Sequence, residues 1–385
     1  MAGSSFITRE ERSFFCPSTG IYNGPWSSSL APTPPLSLPQ FLLFHFAFSS
    51  SSKPAFIDAE TGAALTIANL RALTAAAARA LAVLGVGHGD VVLHVSPNSL
   101  HFPAFVLAAM SLGAVFSTAN FLQTRSEIQS QIQDSGPVLI LTTADLASKL
   151  DGLIPRPPTL IDQFFASLSI DRNAPVEFPG VGPADPAALM YSSGTTGKSK
   201  GVVSSHGNLV AMASFKIIQH VLRQVWGRRE EVYACVVPLS HMFGFSVFVC
   251  RAVAAGATVV VLRRYALDEL LMAVEEHRVT LLPAVPPMVV QLARSCGVAR
   301  ANYDLRSLRE VICSGAPLGR DHMERFADAY PGITLSQRSG ARSKRWFWSL
   351  LSWQIQRERQ IDGLGSVPIF QEKVRNKYCT IIIRF

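Results

Sequence analysis

At 385 residues the chain is longer than one hydrophobic core usually serves, so two or three packed units are expected. Its 48% hydrophobic and 16% charged content excludes a disordered chain. The net charge of +8 does not mark a nucleic-acid binder: residues 338–385 hold ten basic and three acidic side chains, a net of +7, leaving +1 for the body.

Residues 1–50 carry Pro25, Pro32, Pro34, Pro35 and Pro39 among serines and read as a flexible N-terminal arm. The first apolar run, Phe41 to Phe48, lies too deep for a signal peptide. From Pro54 to Asp58 the chain is extended, and Thr66 caps an alanine-rich helix from Ile67 to Val83. The β-branched run Val91 to Val95 predicts a strand, followed by Asn98 and a helix over Phe102 to Leu112. A strand at Gly113 to Phe116, a helix at Thr124 to Ser135, a strand at Val138 to Leu141 and a helix at Ala144 to Leu150 continue the alternation. Apolar strands separated by helices imply parallel pairing with both faces covered. The proline-rich interval 155–186 reads as a connector of surface loops, closing a first α/β unit over residues 51–186.

A second unit is expected over residues 187–337. It opens with a buried strand, Ala187 to Tyr191, then a polar loop, extended chain at Val202 to Ser204, and a helix from Leu209 to His220 capped by Asn208. Strands follow at Glu231 to Pro238, Thr258 to Leu262, Thr280 to Leu282 (closed by Pro283) and Val311 to Ser314. Helices are expected at Phe245 to Ala255, Leu267 to His277, Met288 to Ser295 (with Pro286 at its start) and Arg320 to Tyr330. The stretch Val232 to Leu262 is broken by Ser240, His241 and Arg251, so it reads as core and no membrane span is expected. The six cysteines form no CxxC pair and read as buried thiols of a reducing compartment, not disulfides or a metal site.

The polar loop is the most informative stretch. Between Tyr191 and Gly201 stand the hydroxyls of Ser192, Ser193, Thr195, Thr196 and Ser199, the glycines 194, 197 and 201, and Lys198 and Lys200. Glycine allows a tight turn that gathers backbone N–H groups, the hydroxyls add donors, and a lysine supplies a point charge, which together suit a polyphosphate. Spacing excludes a P-loop, because position 192 is Ser where that motif has glycine. An ordinary surface loop remains the plainer alternative from composition alone.

The full segment Tyr191 to Leu209, YSSGTTGKSKGVVSSHGNL, resembles the AMP-binding signature of adenylate-forming enzymes and is similar in flavour to the plant 4-coumarate–CoA ligases. The resemblance implies an α/β fold: the large N-terminal domain of that family, with two stacked, mostly parallel sheets covered by helices. It implies activation of a hydroxycinnamic or fatty acid with ATP, as an acyl-adenylate, and transfer to coenzyme A. The substrates implied are a small-molecule carboxylic acid, ATP and CoA, with Mg2+ as cofactor. By resemblance Ser192, Ser193, Gly194, Thr195, Thr196, Lys200 and Gln337 contact ATP. His241, Phe243 and Ser246, in and after PLSHMFG, and Gly315, Ala316 and Pro317, in SGAPLG, line the acyl-adenylate. Arg264 stands where the family has a lysine for CoA; a solvated pair with Arg263 is the open alternative.

After Gln337 the family's adenine, magnesium and ribose elements, and the small domain with its catalytic lysine, have no counterpart, so no catalytic lysine and no metal ligand are assigned. Residues 338–385, with three of the five tryptophans, read as an unrelated basic tail. The small C-terminal domain is expected to be absent and the chain incomplete, with weak or no ligase activity. The alternative is a non-catalytic nucleotide-binding or regulatory pseudoenzyme that pairs with a complete paralogue. The family implies a cytoplasmic or peroxisomal location, and the chain carries no C-terminal peroxisomal signal.

Overall fold

A computed structural model describes residues 35–45, 52–171, 174–192, 200–214 and 230–337, with short strands at Phe15–Cys16, Ile21–Tyr22 and Trp353–Ile355; for those strands, His45 and Ser192 the description is of the backbone only. Local sequence rules explain the leading elements. The Thr66 hydroxyl accepts the Asn69 N–H at 3.1 Å and starts the helix Ile67–Val83. Leu70, Leu73, Ala77 and Leu81, three or four residues apart, give that helix one buried stripe. Thr124 starts Arg125–Ser135 with a reciprocal cap: its hydroxyl accepts the Glu127 N–H at 3.3 Å, and its own N–H reaches Glu127 Oε2 at 2.7 Å.

Two sheets form, as expected of this fold class. One has six strands in the order Lys200–Ser205, Pro186–Ser192, Val115–Thr118, Val91–Val95, Leu139–Thr142, Thr159–Leu160, parallel except for the first pair. The other has eight, in the order Trp353–Ile355, Thr334–Gln337, Glu310–Cys313, Leu281–Ala284, Val232–Cys235, Thr258–Val261, Pro54–Asp58, Ala64–Thr66. Its six inner strands are parallel, and the two outermost are antiparallel. Alternation along the first sheet explains its unbroken apolar strands. Val92, Leu139 and Leu141 join the large core shared with the second sheet, while Leu93, Val95 and Ile140 face a smaller cluster with Ile128 and Ile132.

The sheets do not follow chain order, and here the structure departs from the expected units. Pro54–Asp58 pairs with Thr258–Val261, and Pro186–Ser192 pairs with Val115–Thr118. A cut between residues 186 and 187 therefore falls inside a strand of the first sheet, which also carries the phosphate loop. The Ser117 hydroxyl donates to the Leu189 carbonyl at 2.8 Å, and Ala187 and Ala188 are small enough for that interior position. Residues 38–43 depart from the loose arm expected over 1–50. Leu38, Phe41, Leu42 and Leu43 are buried, and the Leu38 N–H donates to His206 Nδ1 at 3.1 Å.

Three local expectations also change. The 155–186 connector holds the strand Thr159–Leu160 and the helix Ile161–Ala166, whose Ile161, Phe164 and Phe165 form a buried helical stripe among the prolines. Ser205, not Asn208, begins the helix of residues 206–214: Asn208 Oδ1 accepts the Ser205 N–H, and Ser205 Oγ accepts the Asn208 N–H, both at 3.2 Å. The expected continuation to His220 lies outside the described residues. Pro283 lies within the strand Leu281–Ala284 instead of ending it; beyond Leu281 that strand pairs only with Glu310–Cys313, so the absent N–H removes no ladder bond on the other side.

Candidate functional site

In the second sheet the sequence-predicted residues fall at the carboxyl ends of four of the parallel strands. Arg264 follows Thr258–Val261, His241 follows Val232–Cys235, Gly315 to Pro317 follow Glu310–Cys313, and Gln337 ends Thr334–Gln337. From Val232–Cys235 the chain adds its next strand on one flank and the following one, Leu281–Ala284, on the other. That reversal opens a crevice outside the carboxyl ends, the place where open α/β sheets take ligands.

His241 is built into a tight turn at this crevice. Its N–H donates to the Pro238 carbonyl at 3.1 Å, its carbonyl accepts from Phe245, and its Nδ1 accepts the Phe243 N–H at 3.1 Å. The neutral ring therefore carries its proton on Nε2. One edge of the residue is open to solvent, yet surrounding protein removes enough water to lower the imidazole pKa below its usual value. His241 is thus a neutral N–H donor at physiological pH. Gly244 closes the turn: a Cβ there would lie 2.1 Å from the Pro238 carbonyl oxygen.

Phe243 and Ser246 are both buried beneath His241, and the Ser246 hydroxyl donates to the Phe243 carbonyl at 3.0 Å. They support the turn from below. Gly315, Ala316 and Pro317 are exposed, and Gly315 has φ +90, a conformation that favours glycine. Gln337 is half-buried, its backbone in register with Cys313 and Trp353. Arg264 is exposed, its guanidinium 4.0 Å from Glu269 across a surface pair, and so is Arg263. Cys235, Cys250 and Cys313 are buried; burial raises all three thiols, Cys313 to about 11, which leaves them unreactive.

Ser193, Gly194, Thr195 and Thr196 lie outside the described residues, and Ser192 is described by its backbone alone. The stem of their loop is defined. Ser192 and Lys200 are in antiparallel register, so the loop is a hairpin whose ends are held together, with Lys200 exposed at the start of the return strand. The Tyr191 hydroxyl donates to Asp134 Oδ2 at 2.5 Å, fixing the outgoing stem to the helix Arg125–Ser135; burial, with the Asp134 charge, pushes the phenol pKa well up.

Thr118, which sequence reasoning passed over, joins the two halves. Its hydroxyl donates to the Ser240 carbonyl and contacts Met190 Sδ at 3.2 Å. The residue before His241 and a residue two before Ser192 thus meet at one side chain. Asn98 and the Tyr191–Asp134 pair were missed as well. The available signal was a polar residue just past, or ending, an apolar strand of an α/β chain, which an open sheet directs toward its ligand edge. Among the described residues no three His, Cys, Asp or Glu side chains group to hold a metal ion.

Paired sheets with ligand stations along their strand ends are the architecture of a nucleotide-binding α/β enzyme domain. More narrowly, the chain belongs to the AMP-binding enzyme family, whose model matches residues 43–339. It is 43% identical over 347 residues to the 4-coumarate–CoA ligase-like 8 protein of Oryza sativa subsp. japonica, covering 85% of this chain and 56% of that protein. It is 36% identical over 343 residues to the peroxisomal OPC-8:0-CoA ligase 1 of Arabidopsis thaliana, covering 86% and 61%. The chain therefore spans less than two thirds of the length of these relatives. Among solved structures, the N-terminal domain of FACL13 from Mycobacterium tuberculosis superposes with a TM-score of 0.67 at 22% identity, covering 80% of this chain and 76% of that one. VinN in complex with L-aspartate gives 0.69 at 23%, covering 81% and 78%. These two likenesses concern the fold.

Proposed function

We propose that this chain binds ATP and a carboxylic acid as the body of a carboxylate–CoA ligase. The observation that supports this reading is the meeting, at Thr118, of the stem of the phosphate hairpin with the carbonyl that precedes His241, a neutral imidazole donor. Ser192, Ser193, Gly194, Thr195, Thr196 and Lys200 hold the triphosphate, and Gln337 borders the adenine side. A carboxylate oxygen of the acid attacks the α-phosphorus, an O–P bond forms, and pyrophosphate leaves with the electrons of the broken P–O bond. His241 Nε2–H orients an oxygen of the resulting acyl-adenylate. Gly315 to Pro317, kept small and close to the backbone, border the acyl group, with Phe243 and Ser246 setting the floor. In the second half-reaction a CoA thiolate attacks the acyl carbon and AMP departs; Arg264 is positioned on the surface for the CoA phosphates. The acid is a hydroxycinnamic or fatty acid, magnesium accompanies the nucleotide, and the location is cytoplasmic or peroxisomal. Among the described residues no helix is long and apolar enough to cross a membrane.

Pyrophosphate release with ATP, magnesium and a panel of hydroxycinnamic and fatty acids tests the reading, with Lys200→Ala as the control. Weak acid-dependent release, as expected of an incomplete chain, that falls at least about tenfold in the variant is the expected result. Nucleotide binding without turnover, restored on mixing with a full-length relative, would instead carry the non-catalytic, partner-dependent reading. Equal nucleotide affinity in the two proteins would refute both.

A further inference from the structure

The segment Val236 to His241 leads from the end of a parallel strand to the histidine, and it has no ladder of its own. Several of its polar backbone groups are bonded instead by side chains of the other sheet. Asn98 follows the first-sheet strand Val91–Val95. Its Oδ1 accepts the Leu239 N–H at 2.8 Å, while its Nδ2 donates to the Leu262 carbonyl at 3.0 Å and the Val237 carbonyl at 3.3 Å. Thr118, ending the neighbouring strand, donates to the Ser240 carbonyl. The Pro238 carbonyl accepts from His241 itself. Both hydrogens and the oxygen of one carboxamide are thus spent on two adjacent connections, one leading to His241 and the other, through Leu262, to Arg264.

We infer that Asn98, seconded by Thr118, is a positioning residue for the acyl side of the cleft, coupling the end of the first sheet to the loops that carry His241 and Arg264. The inference rests on the ligase reading above. A carboxamide is the group this place demands. It must accept from one N–H and donate to two carbonyls at once, and neither a carboxylate nor a hydroxyl does both. Aspartate would keep the bond to Leu239 but aim its charge at the carbonyl oxygens of Val237 and Leu262, pushing the His241 segment off the first sheet. Apart from the Met190 contact with Thr118, the stem of the phosphate hairpin is held by its own strand pairing and by Tyr191 on Asp134, none of which involves Asn98. Positioning by Asn98 therefore bears on the acyl end of the ligand more than on the triphosphate end.

The test measures, on the full chain below its melting temperature, the affinities of wild type, Asn98→Asp and Thr118→Val for two probes: a non-hydrolysable ATP analogue and a hydroxycinnamoyl- or fatty-acyl-sulfamoyl adenosine. Hydrogen exchange is followed in peptides covering 236–243 and 262–265. The expected result for Asn98→Asp is a loss of about tenfold or more for the acyl-adenylate mimic. Affinity for the ATP analogue should stay within about twofold, with faster exchange confined to the two connections. Thr118→Val removes the bond to the Ser240 carbonyl and the weaker contact with Met190 Sδ, and should give a smaller loss of the same pattern; it carries the test should Asn98→Asp fail to fold. Equal losses for both probes would make Asn98 a structural staple and overturn the inference, as would unchanged affinities. Wild type binding neither probe would defeat the ligase reading itself and the inference with it, an outcome recognisable because it appears in the unsubstituted chain.

Discussion

Replacing Gly244 by alanine tests the turn that presents His241. Gly244 has φ −64, which any residue adopts, so space alone requires glycine there. The added Cβ would stand 2.1 Å from the Pro238 oxygen, 2.8 Å from its carbonyl carbon and 3.1 Å from Leu239 Cα. These are backbone atoms that no rotamer change moves aside, so the turn must open by about 1 Å to reach ordinary contact. Opening costs ~1–3 kcal/mol of overpacking and about 1 kcal/mol for the stretched His241–Pro238 hydrogen bond. Removing glycine flexibility returns ~1 kcal/mol. The net, about 1–3 kcal/mol, corresponds for a chain of this size to a melting temperature lower by roughly 2 to 5 °C. Differential scanning fluorimetry reads that shift, and the acyl-adenylate mimic should bind Gly244→Ala at least about tenfold more weakly. A variant that melts with wild type and binds the mimic equally well would show that the turn is not closed as described.

Three further outcomes follow. Thr66→Ala removes the cap of Ile67–Val83 and should cost ~1 kcal/mol in a denaturant titration, with Thr66→Asn restoring most of it. Tyr191→Phe deletes the hydroxyl on Asp134 and should speed proteolysis within the phosphate hairpin severalfold while leaving the melting temperature nearly unchanged; an unaltered cleavage rate would contradict the anchoring role. Burial holds His94 near pKa 3 and His206 near 4, against 6.5 in the unfolded chain. Below 6.5 the unfolded state binds protons these folded histidines refuse, so stability present at neutral pH should fall as pH drops from 6.5 toward 4, by up to ~1.4 kcal/mol per pH unit per histidine. Urea titrations at pH 7, 6 and 5 that give one stability would rule this out.

The parts read correctly from the sequence are those governed by neighbours along the chain. Thr66 and Thr124 announced their helices through local caps, and Val91 to Val95 showed its strand by three valines in five residues. The strand exchange across the expected division at 186/187 was not legible because strand partners are chosen by burial over long separations, and nothing local to Pro54–Asp58 reveals that Thr258–Val261 will be its neighbour. The Leu38 to Leu43 segment hid behind prolines that set composition without deciding contact. At the site, His241 was visible in its motif. Asn98 was not, since its meaning lies in carbonyls and an N–H more than 130 residues away.

The exchange of strands between the sheets also has a consequence during synthesis. Phe56 emerges from the ribosome about two hundred residues before its partner Val259. At ~5–20 residues per second the early strand waits on the order of 10–40 s with its edge uncovered. Translation speed through the middle of the message, and any chaperone that shields a nascent hairpin, should therefore govern how much of this polypeptide reaches its native state.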